Sequence, residues 1–385
     1  MGIKGLLESL RPVQKEINIS SYKSKTVAID GHGILHRRGF GAATNLALKR
    51  PTDSYITHFM RYIDLFIYHG ITPIVVFDGL PLPLGKAISD KRRHRQNDTL
   101  KKGHALYKQG KFAEAEKFFQ QAVTITDGII KAIIKKLVAK KVKCIVAPNE
   151  ADAQLAHFVK TGKADAVVTE NSELLAFGCK KCIYKINRHG NAVEISLDQV
   201  LHNDASPFKG YDVETFRHIC ILSGCDYLAS LKGVCLETIL KQYKDNKSTA
   251  HNLMVLRRKL KKDFPGDYNE NFHLANLGFL HRWVFDIDEM NYIRSNPLPS
   301  NCSRQDMLKL GKIPTVQDST IFCVNKAIPK SKPKNKPLKE AITEEFIAFV
   351  DTVKENISVS YFFKIIFYAP HNLIYKVYTA TPRVS

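Results

Sequence analysis

Six carboxylates and one amide stand where apolar runs break off, and that recurrence is the chemically pointed feature of the sequence. Thr26–Asp30 is a short apolar run entering an acid, and Pro73–Asp78 repeats the pattern before Gly79. Val142–Val146 leads into Glu150 and Asp152, and Ala164–Thr169 leads into Asn171 and Glu173. Asp226 follows the helix-like run that begins at Tyr211. A single acid after a strand is ordinarily a helix cap or a turn residue. Four such corners together point instead to a cleft where like charges need cations to coexist. An all-oxygen set without a His–Cys group suits Mg²⁺, with Mn²⁺ as an alternative, rather than zinc. The bland alternative keeps the acids as caps and surface pairs.

The elements that must position these corners alternate. Strand-like runs are separated by helical segments at Thr52–His69, Ala122–Lys140 and Glu150–Lys160, which predicts an α/β fold with a mostly parallel central sheet flanked by helices. Ligands of such sheets bind outside the carboxyl ends of the strands, where these acids fall. Between Gly85 and Gly110 lie eight Lys or Arg and two acids, with His94 and Tyr107 interleaved, and Phe112–Phe119 then reads as an amphipathic helix. A solvated charged helix face would look the same. From Tyr211 to Leu260 the pattern is helical around a turn at Lys232–Gly233–Val234, and Arg257–Lys262 forms a second basic cluster.

The charge supports a polyanionic partner. Fifty-eight Lys and Arg against 37 Asp and Glu give +21 over 385 residues; a ribosomal or membrane-surface partner would fit that charge equally well. No run is long and apolar enough to span a membrane, and no secretory signal opens the chain, so no membrane association is expected. Gly2 invites a myristoylation reading that Leu6 argues against. Eight scattered cysteines suggest reduced thiols in cytosol or nucleus, and Cys179 and Cys182, a lone CxxC pair, read as strand-end thiols. Residues 326–339, KAIPKSKPKNKPLK, read as an extended linker with a plausible nuclear address.

Longer matches are more specific. MGIKGLLESLRP at 1–12, VVFDG at 75–79, APNEADAQLAH at 147–157, TENSELLAFG at 169–178 and ILSGCDYLASLKGV at 221–234 resemble the structure-specific 5′ nucleases, the flap endonuclease and exonuclease 1 family, with details closer to exonuclease 1. The resemblance implies a PIN-like nuclease core, a helical arch and a helix–two-turn–helix at about 221–260. It divides the chain into an N-terminal nuclease region (1–99), an arch continuation and connector (100–137), an internal nuclease region (138–290), a basic linker (291–340) and a tail of unknown structure (341–385).

By that resemblance, Asp30, Asp78, Glu150 and Asp152 would hold one Mg²⁺ and Asn171, Glu173 and Asp226 a second. Arg92 and Arg95 would face the scissile phosphate, and His36 would sit in the helix that bends the duplex. Lys232, Gly233 and Cys235 would grip the uncut strand, with a K⁺ ion at Ser223, Ser230 and the Val234 carbonyl. Gly2 would lie close to the active site. The family pattern departs here in four ways. Asn171 and Glu173 replace two aspartates, Gly85 stands where an arch lysine is expected with Lys86 beside it, His32 replaces a stacking tyrosine, and Cys235 replaces a glycine. The implied function is a Mg²⁺-dependent 5′→3′ exodeoxyribonuclease and flap endonuclease, monomeric and nuclear, acting on DNA with a 5′ flap, nick, gap or recessed 5′ end. The alternatives are a catalytically impaired paralogue that binds branched DNA, and a phosphatase of small molecules, against which the basic segments argue. Residues 356–363 faintly resemble a sliding-clamp motif, though a buried strand fits them as well.

Overall fold

The computed structural model describes residues 2–289, 291–312, 365–367 and 376–378. Seven strands form the main sheet: β1 (Lys15–Asn18), β2 (Thr26–Asp30), β3 (Thr72–Phe77), β4 (Lys143–Val146), β5 (Ala166–Val168), β6 (Lys181–Tyr184) and β7 (Asn191–Ser196). Their order is β1-β7-β6-β5-β2-β3-β4. The run from β6 to β4 is parallel throughout, and β7 and β1 close one edge antiparallel. The expected mostly parallel α/β sheet is present.

Alternation along the strands builds a core on each face. Val27, Ile29, Val75 and Phe77 pack with Phe59, Ile63 and Phe66 of helix Ser54–Tyr68 and with Ile133 and Leu137 of helix Asp127–Ala139. Ala28, Val76 and Val167 point the other way, onto Leu155 and Phe158 of helix Ala151–Lys160. Side chains two apart share a face of a strand, so one pleat feeds both layers.

Helix boundaries differ from expectation where caps intervene. The helix expected over Ala122–Lys140 begins at Asp127, and the one expected over Phe112–Phe119 runs on to Ala122. Helix Phe112–Ala122 ends there, and Thr126 starts the next by accepting the Ile129 N–H on its hydroxyl (3.4 Å). The basic insertion is a single 23-residue helix, Lys86–Lys108, roughly 35 Å long at 1.5 Å per residue. It crosses residue 99 without a break and pairs with helix Phe112–Ala122 through Gly103, where a Cβ would lie 2.8 Å from the Phe119 ring.

The helical region after Tyr211 comprises Val213–Leu222, Leu236–Asp245, Thr249–Leu260 and Tyr268–Leu280, followed by a hairpin of β8 (Trp283–Asp286) and β9 (Asn291–Arg294). The expected linker does not begin at 291. Ser303 and Asp306 form a reciprocal capping box that starts helix Arg304–Lys309. Leu310 is fully buried in the main core, and the Leu84 N–H donates to the Lys309 carbonyl at 3.1 Å. The stretches 326–339 and 356–363 lie outside the described residues. Of the tail, Ile365–Phe367 and Lys376–Tyr378 form an antiparallel strand pair. Cys179 and Cys182 are buried free thiols at the start of β6, as expected. Among the described residues no helix is long and apolar enough to cross a membrane.

Candidate active site

Asp30 ends β2, Asp78 follows β3, Glu150 and Asp152 follow β4, and Asn171 and Glu173 follow β5. All four strands are parallel neighbours, so the four corners lie at one edge of the sheet. Asp226 joins from the loop after helix Val213–Leu222.

Local backbone demands explain the residue types around them. Asp30 is buried and accepts from the Gly33 N–H (2.8 Å) and the Thr169 hydroxyl (2.9 Å); a Cβ on Gly33 would stand 2.4 Å from its carboxylate. Asp78 Oδ1 accepts the Ala151 N–H at 2.8 Å, at the open N-terminus of helix Ala151–Lys160. A carboxylate is favoured there by the helix dipole and the unsatisfied N–H groups. Glu150, in extended conformation, is that helix's N-cap rather than its first residue. Gly79 is dictated by crowding, since a Cβ would come within 1.9 Å of the Ala147 carbonyl. The β3 and β4 corners are thereby pressed together.

The acids form one electrostatic neighbourhood. Burial, then the charges of Asp30, Glu173, Asp78 and Glu150, push the Asp152 carboxyl well above its ordinary value. Burial and then Asp226 do the same to Glu173, and burial and then Asp78 raise Asp30. Each acid is met by a protein donor. Asn171 Nδ2 donates to Asp152 Oδ2 at 2.9 Å, while its Oδ1 accepts the Glu173 N–H at 3.2 Å. Glu173 Oε1 accepts the Asp226 N–H at 2.9 Å, and Arg92 pairs with Asp226 Oδ1 at 2.7 Å.

Among the described residues no three acids already stand as a coordinating group, because these side chains are turned onto protein donors. The donor set nonetheless fits hard divalent cations. It is all oxygen, its carboxyls are raised by burial and then by one another's charges, and Glu173, only 1% exposed, keeps a buried Oε2 with no partner.

The remaining expected residues distribute around this cleft. Gly2 adopts φ +92°, and its Cβ position lies 2.4 Å from Ser172 Oγ and 2.6 Å from Asn171 Oδ1, so the N-terminal segment is seated against the site. His32 is not a free stacking surface. Its Nδ1 accepts the Asp78 N–H at 3.1 Å and its ring meets Phe77 edge-on. His36 is half-buried on the same helix, Gly31–Arg38, and burial, then His32, lowers its pKa. Gly85 has φ +79°, and a Cβ there would stand 2.5 Å from the Asp226 carbonyl oxygen. A lysine at this position therefore conflicts with the backbone, and Lys86 opens the basic helix one residue later. Arg95 is exposed on that helix.

In the two-turn region, Lys232 and Gly233 (φ +75°) are exposed, and the Val234 N–H donates to the Leu231 carbonyl at 3.0 Å. Ser223 Oγ donates to the Ile219 carbonyl at 2.7 Å, and Gly224 packs so closely on Ser230 that a Cβ would be 2.9 Å away. Ser223 and Ser230 thus share one corner. Cys235 is the exposed N-cap of helix Leu236–Asp245, and its bond to Thr238 lowers the thiol's pKa.

Two residues of the site carry no sequence signal of their own. Tyr227 donates its hydroxyl to Glu150 Oε2 at 2.6 Å, and Arg282 Nη2 donates to the same oxygen at 2.8 Å. Tyr227 is merely the neighbour of an acid, and Arg282 is one arginine entering a strand.

The XPG N-terminal domain family matches residues 1–99 and the XPG I-region residues 141–226. Together these spans contain all seven corner residues. The chain belongs to the flap endonuclease and exonuclease 1 family of structure-specific 5′ nucleases. It is similar to exonuclease 1 of Danio rerio, at 39% identity over 305 residues covering 78% of this chain and 38% of that protein. Exonuclease 1 of Xenopus laevis is 38% identical over 324 residues, covering 83% and 44%. The chain therefore spans less than half the length of these curated relatives. The catalytic core of Rad2 in complex with DNA substrate shares the fold, with a TM-score of 0.56 at 21% identity, covering 81% of this chain and 96% of that one.

Proposed function

We propose that the protein is a Mg²⁺-dependent 5′→3′ exodeoxyribonuclease with 5′-flap endonuclease activity, acting in the nucleus in DNA repair or recombination. The observation that carries this reading is the meeting of four acidic strand corners with Arg92 of the long basic helix, which pairs with Asp226. Family membership and the excess of basic residues support it.

Asp30, Asp78, Glu150 and Asp152 would hold one Mg²⁺, with Glu173, Asp226 and the Asn171 carbonyl at a second; Mn²⁺ suits the same oxygens. Such ions, when bound, supply Lewis acidity and a water of lowered pKa. The chain's own residues do the positioning. Arg92 and Arg95, with Lys86 in the first turn of their helix, hold the scissile phosphate. His36 lies on the helix that borders the bent duplex. Lys232, Gly233 and Cys235 present the backbone and charge that grip the uncut strand, and the corner of Ser223 and Ser230, with the Val234 carbonyl, takes a K⁺ ion. DNA with a 5′ flap, nick, gap or recessed 5′ end is the expected partner, bound by a monomer.

A second reading, reduced catalysis with retained junction binding, is favoured by one contact. Asn171 spends its amide on Asp152 and its carbonyl on the Glu173 N–H, which leaves little of it for an ion. One assay separates the two. The purified chain is incubated with 5′-flap and 5′-recessed duplexes in Mg²⁺ and then Mn²⁺, beside Asp78→Ala. Cleavage lost in the variant is the expected result; salt-sensitive binding without product would select the second reading.

A further inference from the structure

The helix Ala151–Lys160, which presents Glu150 and Asp152, is held along one face by a segment outside both matched regions. Glu150, Gln154 and His157 recur at i, i+4 and i+7 and so share that face. Gln154, fully buried, donates Nε2 to the Phe285 carbonyl (2.9 Å) and accepts the Phe285 N–H on Oε1 (2.7 Å), as a neighbouring strand would. His157 Nε2 lies 3.7 Å from Asp286 Oδ2. Arg282 completes the row at Glu150.

Arg282 is conspicuous energetically. It is 0% exposed, its Nε and Nη1 have no partner, and besides the ion pair its guanidinium lies 5.4 Å from the Tyr227 ring centroid. A buried guanidinium with two idle donors contributes little to stability, and an apolar side chain of similar volume often does as well. Its contact with a candidate metal ligand suggests another use. Glu150 Oε2 takes both the Arg282 and the Tyr227 bonds, while Oε1 has no protein partner among the described residues.

We propose that Arg282 is a positioning residue: with Tyr227 it pins one oxygen of Glu150 and thereby presents the other as a metal ligand. This rests on the metal-dependent reading above. Outer partners of ligating carboxylates set their orientation, and their loss typically weakens metal affinity about 10–100-fold. A purely electrostatic role would act with the opposite sign, since removing a cation beside a cation site strengthens binding.

The test is Mn²⁺ binding by the full chain without DNA, followed by electron paramagnetic resonance, for the unsubstituted protein, R282M, E150Q and E150Q/R282M. R282M is expected to bind Mn²⁺ at least about tenfold more weakly. It should also lower kcat for flap cleavage with little change in KM. In the E150Q background the same substitution should change Mn²⁺ affinity less than about twofold, because its effect runs through Glu150. Should R282M fail to fold, R282L with E150Q/R282L carries the same comparison. Unchanged or tighter binding by the Arg282 variant, or an equal loss in both backgrounds, overturns the inference alone. Absence of Mn²⁺ binding by the unsubstituted chain overturns the metal reading and the inference with it.

Discussion

Replacing Asn171 by aspartate supplies the acid the family pattern places there, and the structure gives the substitution a sign that depends on metal. The amide that donates to Asp152 at 2.9 Å is lost. A hydrogen bond to a charged group is worth about 1.5–3 kcal/mol, and two carboxylates about 4 Å apart repel by roughly 4 kcal/mol at an effective dielectric of 20. The pair can escape repulsion by sharing a proton, with one carboxyl donating to the other. Holding that proton at pH 7, against an unfolded value near 4, costs about 4 kcal/mol; the parent already carries part of this because Asp152 is raised, so about 4 kcal/mol is the upper bound on the destabilisation without metal.

The pH dependence follows from direction. Asp152 is already raised by burial and its acidic neighbours, and a second carboxylate raises the pair further. The folded state then binds a proton that the unfolded chain releases. The penalty is therefore absent below about pH 4 and grows as pH rises towards the raised folded value. Urea unfolding in EDTA at pH 5 and pH 7.5 measures it, with Asn171→Asp falling progressively below the parent. Mg²⁺ should then stabilise the variant more than the parent, and Asn171→Asp with Glu173→Asp should cleave flaps faster. Equal stability of variant and parent in EDTA at both pH values, or equal stabilisation by Mg²⁺, would refute the reasoning.

Two further substitutions probe the arch. Gly85→Lys should not rescue any lysine function. A left-handed non-glycine residue costs about 1–2 kcal/mol, and the 2.5 Å approach to the Asp226 carbonyl adds overpacking of about 1–3 kcal/mol. Melting should fall, and a rise in flap cleavage would contradict this. Arg92→Ala breaks a pair whose side chains are 54% and 29% exposed, so stability should change by less than about 1 kcal/mol. Cleavage should fall about 10²-fold or more, as for loss of a donor to transition-state charge; a single-turnover rate within threefold of the parent would remove Arg92 from the chemistry.

What could be read from the amino acids was whatever repeats with a short period. β2, β3 and β4 emerged within a residue of their bounds and β5 within two, because apolar runs ending in acids are local signals, and the four corners came with them. The antiparallel edge of β1 and β7 carries no such signal, since Lys15–Asn18 alternates weakly and pairs with residues more than 170 positions away. The break between the helices that end at Ala122 and begin at Asp127 was expected a few residues early, because the apolar rhythm runs on through Ala122 and only the Thr126 cap marks the restart. The linker expected from 291 was drawn on composition, whereas the buried Leu310 and the Ser303 capping box fold the chain as far as Gly311. Gly85 read as a lost lysine until its positive φ and its distance to Asp226 were visible. Asn171 and His32 read as weakened functional groups, and only three dimensions revealed Asp152 and Asp78 as their partners.

Asp226 has two claimants. Its backbone amide is tied to Glu173 inside the core, while its carboxylate faces outward to Arg92 on the long basic helix. On the proposed function, a divalent ion held at that oxygen would compete with the guanidinium, and a released Arg92 would be available to a phosphate. Cation loading and substrate capture would then be coupled through a single exchange, and by reciprocity whatever draws Arg92 away would make the vacated oxygen a better berth for the ion.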